Sequence, residues 1–447
     1  MAHPTQPNPP PAMITRKQSR IIALAALGAM LEYYDFVIFL FVAGSLSEAF
    51  FPPDASPWLK QMQTLGIFAI GYFVRPIAGL VFAHFADLIG RKKMFIFLLI
   101  LMAVPTFLIG VLPTYAQVGV LAPLLLLLMR ALQGCAVGGE FPGAAVFVAE
   151  HAPPQRLGTS SGILHGIVLM GLLLGAGAAA LSTHIAAQTG MPSLAWRLPF
   201  IVGGLFGLTA AWLRRQLEES PLYADIQRSR QLARSIPLKI VLKEHLAACG
   251  FGLAVGFVMA VGTVVFFQYM PLLLATQYSV PRADALQATM WGSFVFCLSM
   301  PLWGRLSDAL GWARALAIAA LAMTIAPVLF FELLPGVLKH NGSLPALFAV
   351  LGVALGSIVA LVPGLLSALF PTPVRQSGYA LPYNLAAALF AGTTPLVLAW
   401  LVRDFGPTVV VWPVVFGALI LALAALRLRR MRVYLGNTAS LASRQMR

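Results

Sequence analysis

The chain has 447 residues, of which 59% are hydrophobic and only 10% charged, against about 25% charged in a soluble domain. This composition excludes a soluble enzyme, a disordered chain and a disulfide scaffold, and it leaves room for roughly a dozen membrane spans of about 20 residues each. A net charge of +15 would point to nucleic acid in a soluble protein; in a membrane chain it reads as Lys and Arg gathered on the cytoplasmic side, so no nucleic-acid partner is expected.

Residues 1–20 are polar and proline-rich, with no apolar stretch of the kind a signal peptide needs, and read as a cytoplasmic tail. Six apolar stretches follow, at 21–44, 63–86, 94–112, 119–149, 159–182 and 195–213, forming a first bundle over 21–213. The charged segment 214–244 reads as a cytoplasmic connector. Six more stretches lie at 246–275, 285–307, 313–334, 345–369, 377–402 and 408–427, in a second bundle over 245–430, before a tail at 431–447. Each stretch can cross about 30 Å of hydrocarbon as a helix, or nearly so. Strand-length segments of alternating polarity are absent, which argues against a β-barrel. The expected fold is an all-α polytopic membrane protein of 12 helices. With the N-terminus inside, 23 of the 30 Lys and Arg fall on the inner side, 5 outside and 2 within spans. That asymmetry puts both termini in the cytoplasm. Cys135, Cys249 and Cys297 all lie in apolar stretches and read as small buried hydrophobes.

The two halves resemble each other. AHFADLIGRKK at 83–93 aligns with GRLSDALGWAR at 304–314, and EHAPPQRLG at 150–158 with LFPTPVRQSG at 369–378. A duplicated six-helix unit suggests two bundles that rock about a central site.

Charge within a span costs about 2.5–3.5 kcal/mol on insertion scales, so such residues normally face the interior with a partner. Glu32 and Asp35 share a helix face in span 1 and suit proton coupling. Arg130, Gln133 and Glu140 form a polar stripe on span 4, where Gly134 and Gly138 permit close helix approach. Arg75 is the other arginine at membrane depth. His165, early in span 5, titrates in a range that suits proton transfer. Span-borne charge is scarce in the second half, whose candidates for solute contact are Gln268, Tyr269, Tyr383 and Asn384. Phe-rich runs such as FVIFLF at 36–41 read as lipid-facing or packing residues. No zinc motif, phosphate-binding loop, nucleophile elbow or dinucleotide fingerprint is present. No metal, cofactor or catalytic residue is therefore expected, and a proton gradient is the expected driving force.

LEYYDF at 31–36, GYFVRPIAG at 71–79, RALQGCAVGGE at 130–140, WRLPF at 196–200, EESP at 218–221 and LFPTPVRQSGYALPYN at 369–384, with the doubled loops, resemble the major facilitator superfamily. The finer likeness is to its metabolite:proton symporters, which include α-ketoglutarate, citrate, shikimate and proline/betaine permeases. The resemblance implies that Arg130 faces Asp35. It implies an inner gate built from Asp87, Arg91, Lys92, Glu150, Arg156, Asp308, Arg314 and Arg375. Ala83, Leu88, Ala309 and Ala368 depart from the family pattern and remove members of that charge network.

The reading is a monomeric, lipid-embedded secondary transporter of a bacterial inner membrane, importing a small organic acid or zwitterion with protons. Arg130, with Arg75, is expected to hold a carboxylate, so organic acids should bind better than betaine. A proton antiporter exporting a drug or metabolite is the alternative within transport. A membrane sensor is the alternative of another class, although a 31-residue central loop is short for an output domain.

Orientation is testable by thiol labelling. A cysteine introduced at His340 is expected to react with an impermeant maleimide in intact cells, and one at Gln155 only after permeabilisation. The reverse pattern would overturn the assignment.

Overall fold

In a computed structural model of the chain, residues 15–89, 91–214, 237–340, 342–428, 431, 433 and 434 are described, and among them there is no β-strand. Eleven helices among these residues are long and apolar enough to cross a membrane. They match eleven of the twelve expected stretches. The first half comprises span 1 (Arg16–Phe41), span 2 (Pro57–Phe73 and Arg75–Ile89), span 3 (Arg91–Val111), span 4 (Leu121–His151), span 5 (Leu157–Thr189) and span 6 (Leu194–Arg214). A short helix, Pro237–Glu244, is the described part of the connector; residues 215–236 lie outside the described residues. The second half comprises span 7 (Leu246–Thr263, continuing to Gln277), span 8 (Arg282–Leu310), span 9 (Trp312–Lys339), span 10 (Leu344–Val359 and Val362–Ala368), span 11 (Arg375–Ala386, continuing to Phe405) and span 12 (Val411–Leu428).

Span 11 is the twelfth stretch, and it is not one continuous α-helix. It runs through a π-turn at Ala387–Ala391 and a break before Thr394–Phe405. Span 7 carries a matching π-turn at Val264–Tyr269. Each π-turn ends shortly before a proline, Pro271 or Pro395. A proline ring clashes with the carbonyl four residues back and offers no N–H, so the preceding turn must widen. Pro76 has the same relation to the break at Val74 in span 2. The N-termini of spans 2 and 10 are capped alike. The Ser56 hydroxyl accepts from the Leu59 N–H and the Ser343 hydroxyl from the Ala346 N–H, each with a proline in the first turn.

Glycine sets how closely the spans approach. A Cβ at Gly134 would lie 2.5 Å from the Gly71 carbonyl oxygen, and one at Gly138 would lie 2.7 Å from that of Arg75. Spans 2 and 4 thus meet backbone to backbone, as the paired glycines of span 4 predict. Gly158 of span 5 meets Gly304 of span 8 in the same way, across the two halves. Besides spans 5 and 8, the halves meet where span 11 packs on spans 2 and 4. Apolar side chains such as Ile77, Trp212, Trp400 and Leu423 are exposed on the outer surface, where a bilayer is their solvent.

The glycine contacts give a stability test. Gly138→Ala forces a side chain against fixed backbone and should cost about 1–3 kcal/mol, read as a lower Tm in detergent. Gly177→Ala, where a Cβ meets nothing within 4 Å, should not lower it. Equal melting of the two variants would sink the close-approach reading.

Candidate functional site

A cavity of about 100 Å³ lies between the two halves. Glu32 and Tyr33 of span 1, Tyr72 and Arg75 of span 2, Phe141 of span 4 and His165 of span 5 line it from the first half. Thr263 and Gln268 of span 7, Val359 of span 10 and Tyr383 of span 11 line it from the second. Both π-turns open onto it through Val264, Gln268, Ala387 and Ala391. Its charged groups come from the first half, while the second half brings a hydroxyl, an amide and a phenol.

Arg75 sits at the proline break of span 2, which turns its side chain into the cavity. The guanidinium lies 4.0 Å from the centre of the Phe36 ring and 4.3 Å from that of Tyr72. Its Nε–H donates to the Gly71 carbonyl at 3.2 Å. Arg75 is buried, yet it is the arginine that lines the cavity. His165 is fixed by a 2.8 Å bond from Nδ1 to the Val359 carbonyl of the other half. A carbonyl only accepts, so Nδ1 carries the proton and Nε2 is left for another role. Phe141 packs against His165 with the rings tilted and stacks on Tyr383, with centroids 4.8 and 5.0 Å away.

Several expectations meet a different geometry. Arg130 is fully buried inside the first bundle and does not line the cavity. It forms no ion pair with Asp35. Its Nη1 donates to the Phe36 carbonyl and to Gln133 Oε1, both at 3.1 Å, and its charge faces the rings of Phe36, Phe39 and Phe68 at 3.9–4.8 Å. A carbonyl and three ring faces thus stand where a carboxylate was expected. Gln133 turns the other way, to Thr106 Oγ1 at 2.8 Å. Asp35 lies beside Thr106 of span 3 and against Gly203 of span 6, and its Oδ1 has no hydrogen-bond partner. Phe36 and Phe39 are core residues, which is the packing role of the two the sequence offered. Asn384 donates to the Gly138 carbonyl at 2.6 Å, fastening span 11 to span 4 rather than facing the cavity. Tyr269 is buried in the main apolar core and does not line the cavity. Glu140 is fully buried in span 4, away from the cavity lining. Sequence reading passed over Tyr33, Tyr72, Phe141 and Thr263. The aromatic letters carry no charge to mark them among 29 Phe and 10 Tyr.

The repeat loops at 150–158, 304–314 and 369–378 come together, and there the halves are locked to one another. Asp308, at the end of span 8, accepts from the Gly158 N–H at 2.7 Å, the Thr159 N–H at 2.8 Å and the Thr159 hydroxyl at 2.5 Å. This is a carboxylate seated on the N-terminus of span 5, where unpaired N–H groups and the helix dipole favour negative charge. Arg156 is half-buried and within electrostatic reach of Asp308. Gly311, with φ of 84°, makes the tight exit from span 8, a left-handed conformation that glycine supplies freely. Glu150 and Arg375 form a buried ion pair across the halves at 3.2 Å, and the Arg375 Nε–H also donates to the Phe370 carbonyl at 3.1 Å. Arg314 is exposed and stands outside this lock. The side chains of Asp87, Arg91 and Lys92 lie outside the described residues.

A family model described as Major Facilitator Superfamily matches residues 25–381. The glycine betaine/proline/ectoine/pipecolic acid transporter OusA of Dickeya dadantii is 32% identical over 404 residues, which is 86% of this chain and 78% of OusA. The inner membrane metabolite transport protein YhjE of Escherichia coli K12 is 30% identical over 394 residues, 87% of this chain and 89% of YhjE. Among solved structures, the proton:xylose symporter XylE of E. coli matches with a TM-score of 0.72, covering 94% of this chain and 96% of its own. Its 21% identity makes that a likeness of fold.

The ion pair across the halves is expected to behave as a coupled unit. Glu150→Gln or Arg375→Gln alone removes one member of a buried ion pair and should cost about 3–5 kcal/mol. The double variant should cost less than the two together. Additive losses, measured by thermal unfolding in detergent, would show that the pair contributes no coupling.

Proposed function

Because the chain belongs to the major facilitator superfamily, we propose that it imports a small zwitterion or organic acid together with protons, by alternating access. It is an integral membrane transporter and not an enzyme. The observation that carries the substrate class is Arg75 in the central cavity, where its guanidinium lies over the Tyr72 ring and the lining also includes Glu32, Tyr33, Phe141 and Tyr383. A guanidinium matches a carboxylate through two parallel hydrogen bonds. An acid and aromatic faces suit an ammonium or quaternary ammonium. Together they suit a molecule carrying both groups, which agrees with the betaine and proline named for OusA. Of the two expected solute classes the zwitterion is favoured, and of the two expected arginines Arg75 alone lines the cavity and is the one proposed to hold the carboxylate.

The loops bearing Asp308 and Arg375 are assigned to the cytoplasm by the distribution of Lys and Arg. On that assignment the lock around Asp308 and Glu150 is an inner gate, and it is shut in this conformation. Asp35 is the proposed proton carrier, since its buried Oδ1 has no competing donor. Glu32, which lines the cavity, is the second acid within reach of a proton there. The gradient is the proposed driving force, with no cofactor, and one chain suffices for the cavity.

Counterflow in proteoliposomes tests this reading. Labelled glycine betaine or proline should exchange, succinate should compete, and xylose should do neither. Arg75→Lys keeps the charge but loses the paired geometry, and it should raise KM about tenfold. Exchange of the sugar, or an unchanged KM in Arg75→Lys, would overturn the proposal.

A further inference from the structure

The ring of Phe36 is held by two guanidinium groups. Arg75 lies 4.0 Å from its centre and Arg130 lies 3.9 Å from it. The first belongs to the solute cavity; the second is fully buried in the first bundle. Two cations this near the same ring repel one another, so they are most stable on opposite faces. Phe36 is itself almost completely buried and does not line the cavity. Tyr72 meets its edge at 5.1 Å, and its own carbonyl accepts from Arg130 Nη1 at 3.1 Å. Its chain neighbour is Asp35, which lies beside Thr106; Gln133 in turn bridges Thr106 and Arg130, so Asp35 and Arg130 stand at the two ends of this cluster without a direct ion pair. The residue therefore touches both compartments and belongs wholly to neither.

Resting on the symport reading above, we propose that Phe36 is the positioning residue that couples the proton site to the solute site. A carboxylate charge at Asp35 offsets Arg130. Protonation of Asp35 removes that offset and leaves Arg130 and Arg75 as less compensated like charges against the same phenyl ring. An anionic group bound to Arg75 then restores the balance, so proton binding strengthens solute binding. The ring fixes the separation and supplies each cation with a negative face, which makes the exchange of charge felt across the partition. The other charged or titratable groups around Asp35 are Glu32 and Tyr34 on its own helix and Glu140 on span 4. Spans 3 and 6 bring Thr106, Gly203 and Gly207, which carry no charge. His165 of span 5 and Arg75 of span 2 stand on the cavity side.

The test is the pH dependence of solute affinity in the purified, full-length protein, with glycine betaine and proline as probes. In the wild type, Kd should tighten about tenfold between pH 8 and pH 6, within the range of ordinary coupling between sites. Phe36→Leu removes the π-faces while keeping an apolar side chain; its Kd should change less than about twofold over the same interval. Phe36→Tyr restores the ring and should restore most of the dependence. Uphill accumulation driven by a proton gradient should fall with the pH dependence. A Phe36→Leu variant that retains both overturns the coupling role, and so does a Phe36→Tyr variant that binds solute but has lost both. A wild-type affinity that ignores pH overturns the symport reading itself, and this inference with it. A saturable binding curve for each variant shows that it has folded, so loss of coupling is distinguished from loss of structure.

Discussion

Two guanidinium groups against one phenyl ring, at the depth of a hydrocarbon slab, constrain most of what surrounds them. At 4.0 and 3.9 Å from one ring centre they are no more than about 8 Å apart, and they repel by at least about 2 kcal/mol at an effective dielectric of about 20, before either is compensated. Arg130 is accommodated by a main-chain carbonyl, an amide and three aromatic faces. Arg75 is accommodated by two rings and a carbonyl, and it keeps access to the cavity. Neither arrangement is possible unless spans 2 and 4 come within backbone contact, which is why glycines stand at 71, 134 and 138. A Cβ at Gly71 would press on the Arg130 side chain itself. Electrostatics and close packing are one requirement here, met by the same few residues.

The halves are joined in a different way. Most of the bonds that cross between them use main-chain atoms: Asp308 to the N–H groups of span 5, Asn384 to the Gly138 carbonyl, and His165 to the Val359 carbonyl. Side chain meets side chain in the Glu150–Arg375 pair and in the bond from the Thr159 hydroxyl to Asp308. Bonds to backbone hold the partner helix as a rigid unit, which suits two bundles that move as bodies. The cavity lies between those bodies and draws its lining from both, so a change in their relation changes the cavity.

Hydrophobicity made the spans legible, because hydrocarbon forbids exposed peptide groups and so forces long apolar helices. Spans 4 and 5 begin and end within a few residues of expectation at most of their boundaries. Span 11 shows the limit, since the letters that make it apolar do not reveal a turn widened to admit Pro395. Arg130 shows another. The family resemblance pairs it with Asp35, but a ring face is also a partner for a cation, and Phe36 looks the same in a sequence whether it meets lipid or guanidinium. Asp308 was legible through the internal repeat, though its partner was not. Backbone N–H groups have no letter of their own. Asn384 was legible as a polar residue in an apolar span, and its position on the helix, not its chemistry, made it a fastener.

The paired π-turns have a consequence for rotation. A turn of this kind accommodates one residue more than an α-turn, and one residue corresponds to about 100° about the helix axis. Relaxing the turn at 264–269 or 387–391 to ordinary winding would therefore swivel everything beyond it by about a quarter of a circle. The peptide groups would stay bonded along the helix throughout, as a lipid environment demands. The segments beyond, Met270–Gln277 and Thr394–Phe405, are thus attached to the cavity wall by joints that can twist without unwinding.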